Sequence, residues 1–209
     1  MEEKDLSEQE SLRIIEQMIQ TAKQEQKDDG KGWITWGWLL FAASISTFLN
    51  LQFHWYSTWI FWNVFGGITL LFMLYAVIRG YVTRQTKRVK TYTKDLFDKL
   101  NIGFFIFLMI IILSINLGVG PVKGFALLIA LYGFWILIYG AALNFKPSII
   151  AAFITWSFAV AGLFVPETDF KTIMLLHGGA VLCGYIIPGH IAYLQFSKLQ
   201  KKGNTIHSV

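Results

Sequence analysis

The last apolar run of the chain carries the polar groups best suited to chemistry. It contains His177, followed by two glycines, and closes with Pro188, Gly189 and His190. An imidazole can bind a metal, move a proton or hold a ligand by hydrogen bonding. On a helix these histidines, 13 residues apart, lie about 140° apart around the axis and about 20 Å apart along it. They therefore cannot share a metal or a proton within one chain.

Pro188 is predicted to kink this helix, because it has no N–H to donate to the carbonyl of Gly184. A kinked, glycine-lined helix with two histidines is one way to border a binding cavity. The alternative is that the glycines serve only as contacts between helices. Both imidazoles are expected near the ends of the run, where water or a backbone carbonyl satisfies a neutral ring.

Aromatic and amide side chains supply further candidates. Asn63 needs a hydrogen-bond partner in hydrocarbon and so predicts a bond between helices. Trp59 and Trp62 share a helix face and, with Trp135 and Trp156, form an aromatic cage on one interpretation. Packing and interface anchoring are the alternative interpretation. The candidate ligand-binding residues are Asn63, Trp62, Trp135, Trp156, His177, Pro188 and His190.

Several chemistries find no support in the sequence. Between Gly32 and Val165 the only carboxylates are Asp95 and Asp98, so no apolar run contains an acidic group of the kind that marks many proton relays and cation sites. Cys183 is the single cysteine, and no metal-binding or phosphate-binding motif occurs. We predict no catalytic residue, metal or cofactor, and we exclude nucleic acid as a partner. An intramembrane enzyme ranks last, since no nucleophile and base lie at a usable spacing.

Composition indicates the elements that position these residues. The chain is 55% apolar and 15% charged, whereas soluble domains are about 45–50% apolar and about 25% charged. Helix is the default for apolar runs of about 20 residues, because lipid offers the backbone no partners. The predicted fold is therefore an all-α, polytopic membrane bundle of six transmembrane helices, with spans at about 33–53, 58–78, 100–117, 122–143, 147–165 and 170–194.

The positions of Lys and Arg predict the orientation. With the amino terminus inside, 16 of the 18 Lys and Arg residues fall in inner segments, and only Lys123 and Lys171 fall outside. Positive charge is retained on the cytoplasmic side, so both termini are expected there. Short loops and the lack of a signal peptide favour a bacterial inner membrane.

The segments outside the bundle offer surface for partners. Residues 1–32 are predicted to form an amphipathic cytoplasmic helix, and residues 195–209 a cytoplasmic tail. The apolar stripe of that helix can dock to the membrane or to a protein partner through Leu12, Ile15, Met18 and Ile19. The inner loop at 79–99 is expected to bind anionic lipid head groups through Arg84, Lys87, Arg88 and Lys90.

Two glycine–tryptophan pairs at similar spacing form a weak internal repeat, called here the internal echo, which bears on function. Trp62 lies 25 residues after Gly37, and Trp156 lies 23 residues after Gly133. A true echo implies an inverted repeat of three spans plus three, an arrangement found in many transporters; chance similarity is the alternative. We expect binding or transport of a small neutral, aromatic or lipid-like solute within the bundle. The alternative is a sensor or regulatory protein acting through its amino-terminal helix and basic loop. Homodimerisation stays open.

Overall fold

The computed structural model describes residues 30–82 and 92–206 of the chain. Regular structure within these ranges is entirely helical, without a strand. Two π-helical turns, Ile115–Val119 and Leu182–Ile186, follow the third and the sixth α-helix. The α-helices in chain order are α1 (Lys31–Phe53), α2 (Ile60–Val82), α3 (Tyr92–Ser114), α4 (Pro121–Ala142), α5 (Lys146–Phe164), α6 (Phe170–Val181) and α7 (Ile187–Ile206).

Five of the helical segments in the described ranges are long and apolar enough to cross a bilayer. This confirms an all-helical chain with the character of an integral membrane protein. The second expected span is represented by a shorter apolar helix, Ile60–Tyr75, within α2. The sixth crossing therefore stays a prediction. The five segments are Lys31–Phe53, Phe97–Val119, Pro121–Ala142, Lys146–Phe164 and Phe170–Lys198.

Helix α6 lies at the centre of the bundle. It packs against α1, α4 and α5, and the most extensive helix pairing is that of α4 with α5. At the level of backbones, among the described helices, α2 approaches only α1, and α3 approaches only α4. The two helices α2 and α3 are therefore peripheral, and their outward faces are largely exposed apolar side chains.

A reciprocal clamp joins α4 and α5 at the end of the bundle that carries Glu167, called here the Glu167 end. The Glu167 carboxylate accepts hydrogen bonds from the backbone N–H groups of Val122 and Lys123, at 3.1 and 3.0 Å. The Lys123 ammonium donates to the carbonyls of Leu163 and Val165, at 2.5 and 2.7 Å. Each charge thus meets the helix terminus of opposite partial charge, and satisfies backbone groups that a helix leaves unpaired.

Side chains also fix two other junctions at the Glu167 end. The buried Asn50 amide accepts from the Tyr56 N–H at 2.8 Å and donates to the carbonyls of Tyr56 and Ser57 at 3.1 Å each, which closes the turn between α1 and α2. Asp169 caps α6 by accepting from the Thr172 hydroxyl and backbone N–H. These two hydrogen bonds lower the pKa of the Asp169 carboxyl, because they stabilise its charged form.

The helix was predicted to kink at Pro188; in the structure a π-helical turn precedes this proline. The π-helical turn Leu182–Ile186 directly precedes α7, and the Ile187 N–H bonds back to the carbonyl of Leu182, five residues earlier. A single π turn shifts the hydrogen-bond register before a residue that cannot donate. As a result, α6 and α7 together form one continuous apolar segment, Phe170–Lys198.

The glycines of this segment make close contacts between helices, as the packing interpretation predicted. A Cβ on Gly184 would lie 2.7 Å from both Ile136 and Thr155, and one on Gly189 would lie 3.0 Å from Ile34. Small residues of this kind let membrane helices approach each other. The glycines therefore position α6 and α7 within the bundle.

Candidate functional site

His177 lies in the interior of the bundle, on α6. Its side chain has no exposed surface, and its Nδ1 lies 2.6 Å from the hydroxyl oxygen of Ser44 on α1. The expectation was that water or a backbone carbonyl would satisfy this ring; the partner of Nδ1 is instead the hydroxyl of a buried serine on another helix. The residue lies only eight positions into α6, but α1, α4 and α5 surround that part of the helix.

Three aromatic rings from two other helices enclose the imidazole. Trp62 of α2 lies with its ring centroid 5.3 Å from that of His177. Phe125 and Tyr132 of α4 lie at 5.4 and 5.6 Å, and all three rings meet the imidazole edge to face. We call His177, Ser44, Trp62, Phe125 and Tyr132 the His177 site. Its walls come from four helices, and none of its five side chains carries a formal charge.

Two polar atoms of this site are buried without a partner. Within the described part of the chain, His177 Nε2 and Trp62 Nε1 are the buried side-chain nitrogens that form no hydrogen bond. Each such group costs about 1–3 kcal/mol in a protein interior. Both belong to rings in direct contact, so the deficit is concentrated at one place. A pair of this kind calls for a physical explanation.

The hydrogen bonds of Ser44 indicate which nitrogen of the His177 imidazole carries the proton. The Ser44 hydroxyl donates its single hydrogen to the carbonyl of Leu40, at 2.8 Å. Its oxygen therefore accepts from the His177 Nδ1–H at 2.6 Å. A neutral imidazole protonated on Nδ1 has a bare lone pair on Nε2, so His177 offers an acceptor. The Trp62 indole N–H is a donor only.

Aromatic contacts lead from the site toward both ends of the bundle. On one side Phe125 contacts Phe170, which in turn contacts Trp59. On the other side Tyr132 contacts Tyr185, which packs against Trp33. The His177 site is thus the midpoint of a continuous aromatic interior.

Of the seven ligand-binding candidates, the structure brings only His177 and Trp62 together. His190 is exposed on α7 and its Nδ1 donates to the Ile186 carbonyl at 2.8 Å, the kind of backbone partner that was expected. Pro188 is buried beyond the π turn, 11 residues or about three helical turns after His177. Asn63 is exposed in the first turn of α2, and the described residues give its side chain no hydrogen bond between helices.

The tryptophans do not form the predicted cage. Trp156 donates its indole N–H to the Ala130 carbonyl at 3.0 Å and packs on Gly133. Trp135 contacts Phe97 and Phe104. No ring contact within residues 30–82 and 92–206 joins Trp62 to either of them, because each faces a different helix neighbour.

The residues of the proposed internal echo make different contacts. Trp156 packs on Gly133, whereas Gly37 packs on Tyr185 and Ile186 of the last span. Trp62 packs on His177. The inverted repeat stays a prediction.

Ser44 was missed by sequence reasoning, and so was its pairing with His177. The two residues are separated by 133 positions, and a serine in an apolar run gives no sequence signal of its own. A serine and a histidine at 2.6 Å have the separation of a nucleophile and its base. Here the hydroxyl proton is committed to Leu40, and both side chains are completely buried. The pair therefore fixes the imidazole rather than activating the serine.

An apolar groove of about 520 Å³ lies on the exposed surface between the peripheral helices α2 and α3. One wall comes from α2 through Met73, and the other comes from α3. The lining side chains are all apolar: Met73, Ile102, Phe105, Ile106, Met109, Ile110 and Leu113. This groove would face lipid in a bilayer.

The remaining predicted sites lie outside the described residues. They are the lipid head-group cations at 84–90 and the docking stripe at 12–19. Comparisons of the chain with protein-family models, with curated proteins and with solved structures give no match. The fold defines a helix bundle with the character of an integral membrane protein.

Proposed function

We propose that the protein binds a small neutral, aromatic or lipid-like solute at the His177 site, within the membrane. The observation that carries the proposal is the pair of buried, unpartnered nitrogens, His177 Nε2 and Trp62 Nε1, on adjoining rings. A bound molecule with polar and aromatic parts would satisfy both atoms. Ligand sites are mostly apolar pockets with a few polar groups that fix orientation, which is the composition found here.

The charge of the site supports a neutral ligand. His177, Ser44, Trp62, Phe125 and Tyr132 include no acidic or permanently basic side chain. An ion at this depth would lack a counter-charge and would be strongly disfavoured. If the solute is also transported, we propose that it moves along the aromatic side chains that lead from the site toward Trp59 and toward Trp33.

We further propose a bacterial inner-membrane location with both termini in the cytoplasm. The support is the distribution of cations, 16 of 18 on the inner side in that orientation. The Glu167 end would then face outward.

The test is to identify what travels with the protein. The full chain is extracted from its host membrane in mild detergent and examined by native mass spectrometry, followed by extraction and analysis of small molecules. We expect a neutral ligand on the wild type and at least a tenfold loss of it in His177→Leu and Trp62→Phe, with Trp135→Phe as the matched control. Equal occupancy in all four proteins, or no ligand in any, would refute the proposal.

A further inference from the structure

We infer that the His177 site recognises its ligand through a hydroxyl group on an apolar, ring-containing molecule. This inference rests on the proposed function and names the chemical class of its ligand. The relevant geometry is one bare acceptor and one free donor on adjoining rings whose centroids are 5.3 Å apart.

The hydrogen-bonding inventory selects the hydroxyl. His177 Nε2 requires a donor, because Nδ1 holds the proton that is given to Ser44. Trp62 Nε1–H requires an acceptor. A hydroxyl is the smallest neutral group that donates once and also accepts. One hydroxyl placed within hydrogen-bonding distance of both rings would therefore satisfy both nitrogens.

Ligand groups that only accept hydrogen bonds leave one of the nitrogens unsatisfied. A ketone, ester or ether only accepts, so His177 Nε2 would stay buried without a partner. A carboxylate also only accepts, and it would bring a charge into a site without a cation. A site built to bind a hydroxyl rejects analogues that lack one, because its own polar groups are then left unpaired.

The walls of the site favour a ring-containing body for the ligand. Phe125 and Tyr132 present aromatic surfaces at 5.4 and 5.6 Å from the imidazole. Trp62 covers the imidazole from α2, a peripheral helix whose backbone approaches only that of α1 among the described helices. Gly66 and Gly67 follow one turn later, and neither has another atom within 4 Å of an added Cβ. The lipid-facing side of Trp62 is therefore the least constrained route of entry.

The experiment uses three probes that differ in one group: 4-pentylphenol, its methyl ether and pentylbenzene. The full-length protein, in lipid nanodiscs, is labelled with ¹⁵N at histidine and at the tryptophan indole. Signals of His177 and Trp62 report binding at the site itself, independently of probe dissolved in lipid. Before any probe is added, His177 is expected to carry its proton on Nδ1, with Nε2 showing the signal of an unprotonated nitrogen.

We expect the phenol to shift the His177 Nε2 and Trp62 Nε1 signals saturably, with an affinity at least about tenfold above that of the ether, the value of one lost hydrogen bond of about 1.4 kcal/mol. Equal affinity for phenol and ether would overturn the hydroxyl inference while leaving solute binding intact. A proton on Nε2 of the free protein would also overturn it. No response to any of the three probes would count against the proposed function as well.

Two variants separate recognition from folding. Trp62→Phe keeps an aromatic cover but removes the donor to the oxygen that phenol and ether share. The affinities for phenol and ether should therefore both fall several-fold relative to pentylbenzene, while the preference for phenol over ether is retained. Ser44→Ala removes the group that fixes the imidazole, so the proton should redistribute between the two nitrogens and the preference for phenol over ether should fall. Ser157→Ala is the matched control, because Ser157 also donates to a carbonyl four residues earlier but lies exposed on α5. An unchanged preference in Ser44→Ala would refute its positioning role.

Discussion

Individual side chains of this protein act chiefly by satisfying polar groups where lipid cannot. Lys123 and Glu167 bond to backbone groups at helix ends, and Asn50 bonds to backbone groups in the turn between α1 and α2. Ser44 holds one nitrogen of His177. Among the buried side-chain atoms of residues 30–82 and 92–206, the exceptions are His177 Nε2 and Trp62 Nε1, whose rings are in contact. Sequence alone singled out both residues, but it could not pair them, because the pairing depends on how α2 lies against α1 and α4.

The Glu167 cap should contribute measurably to stability. Glu167→Ala removes the acceptor for two N–H groups at the start of α4 and should lower the free energy of unfolding by about 1 kcal/mol, as loss of a helix cap does. Thermal unfolding in detergent measures the change. Glu167→Gln keeps an acceptor, so its free energy of unfolding should lie between those of the wild type and Glu167→Ala. An alanine variant as stable as the wild type would contradict the role of the clamp.

Ser44 should not react as a nucleophile despite its distance of 2.6 Å from His177. Its proton is bonded to Leu40 and its side chain is fully buried, so a fluorophosphonate probe should leave the wild-type protein unlabelled. A soluble serine hydrolase in the same detergent is the positive control. A covalent adduct on Ser44, found by mass spectrometry and absent from Ser44→Ala, would favour an intramembrane hydrolase instead.

At the scale of elements, the lengths of the apolar runs predicted most of the helices but not how the helices are arranged relative to one another. Predicted spans at 122–143 and 147–165 lie close to α4 (Pro121–Ala142) and α5 (Lys146–Phe164). Each of these helices has a proline in its first turn, which is a local signal visible in the sequence. Helix packing in lipid depends on small residues and shape, which carry little sequence pattern, so the central place of α6 could not be predicted.

The α4–α5 contact should depend on Gly133. An added Cβ there would lie 2.5 Å from two atoms of the Trp156 ring, which its bond to Ala130 holds in place. Gly133→Ala should therefore lower the free energy of unfolding by about 1–3 kcal/mol, the usual cost of overpacking. Thermal unfolding provides the comparison with Gly66→Ala, where no atom lies within 4 Å. If both variants unfold at the same temperature, the close contact between Gly133 and Trp156 is contradicted.

At the scale of the whole molecule, the bundle separates into a tight core and two peripheral helices. Helices α1, α4, α5 and α6 form the core, and α2 and α3 flank an open, apolar groove. Trp62 of α2 completes the His177 site from the edge of the core. This division suits a protein that admits a solute from the lipid side, because a peripheral helix can move without disturbing the core. The sequence showed six apolar runs but gave no sign of which were peripheral.

The orientation is tested by labelling single cysteines in a Cys183→Ser background. Lys87→Cys should react with a membrane-impermeant maleimide only from the cytoplasmic side, and Thr168→Cys only from the opposite side. The expectation follows from the 16 to 2 distribution of cations. Reaction of both positions from the same side would overturn the topology.

The central claim is that a non-protein molecule completes the hydrogen bonding of His177 and Trp62. The most direct measurement is a cryo-electron microscopy map of the full chain, bound to a rigid antibody fragment, in nanodiscs formed from its host membrane. The predicted result is density larger than a water molecule within hydrogen-bonding distance of His177 Nε2 and Trp62 Nε1. A map with no additional density beside either nitrogen would contradict the claim.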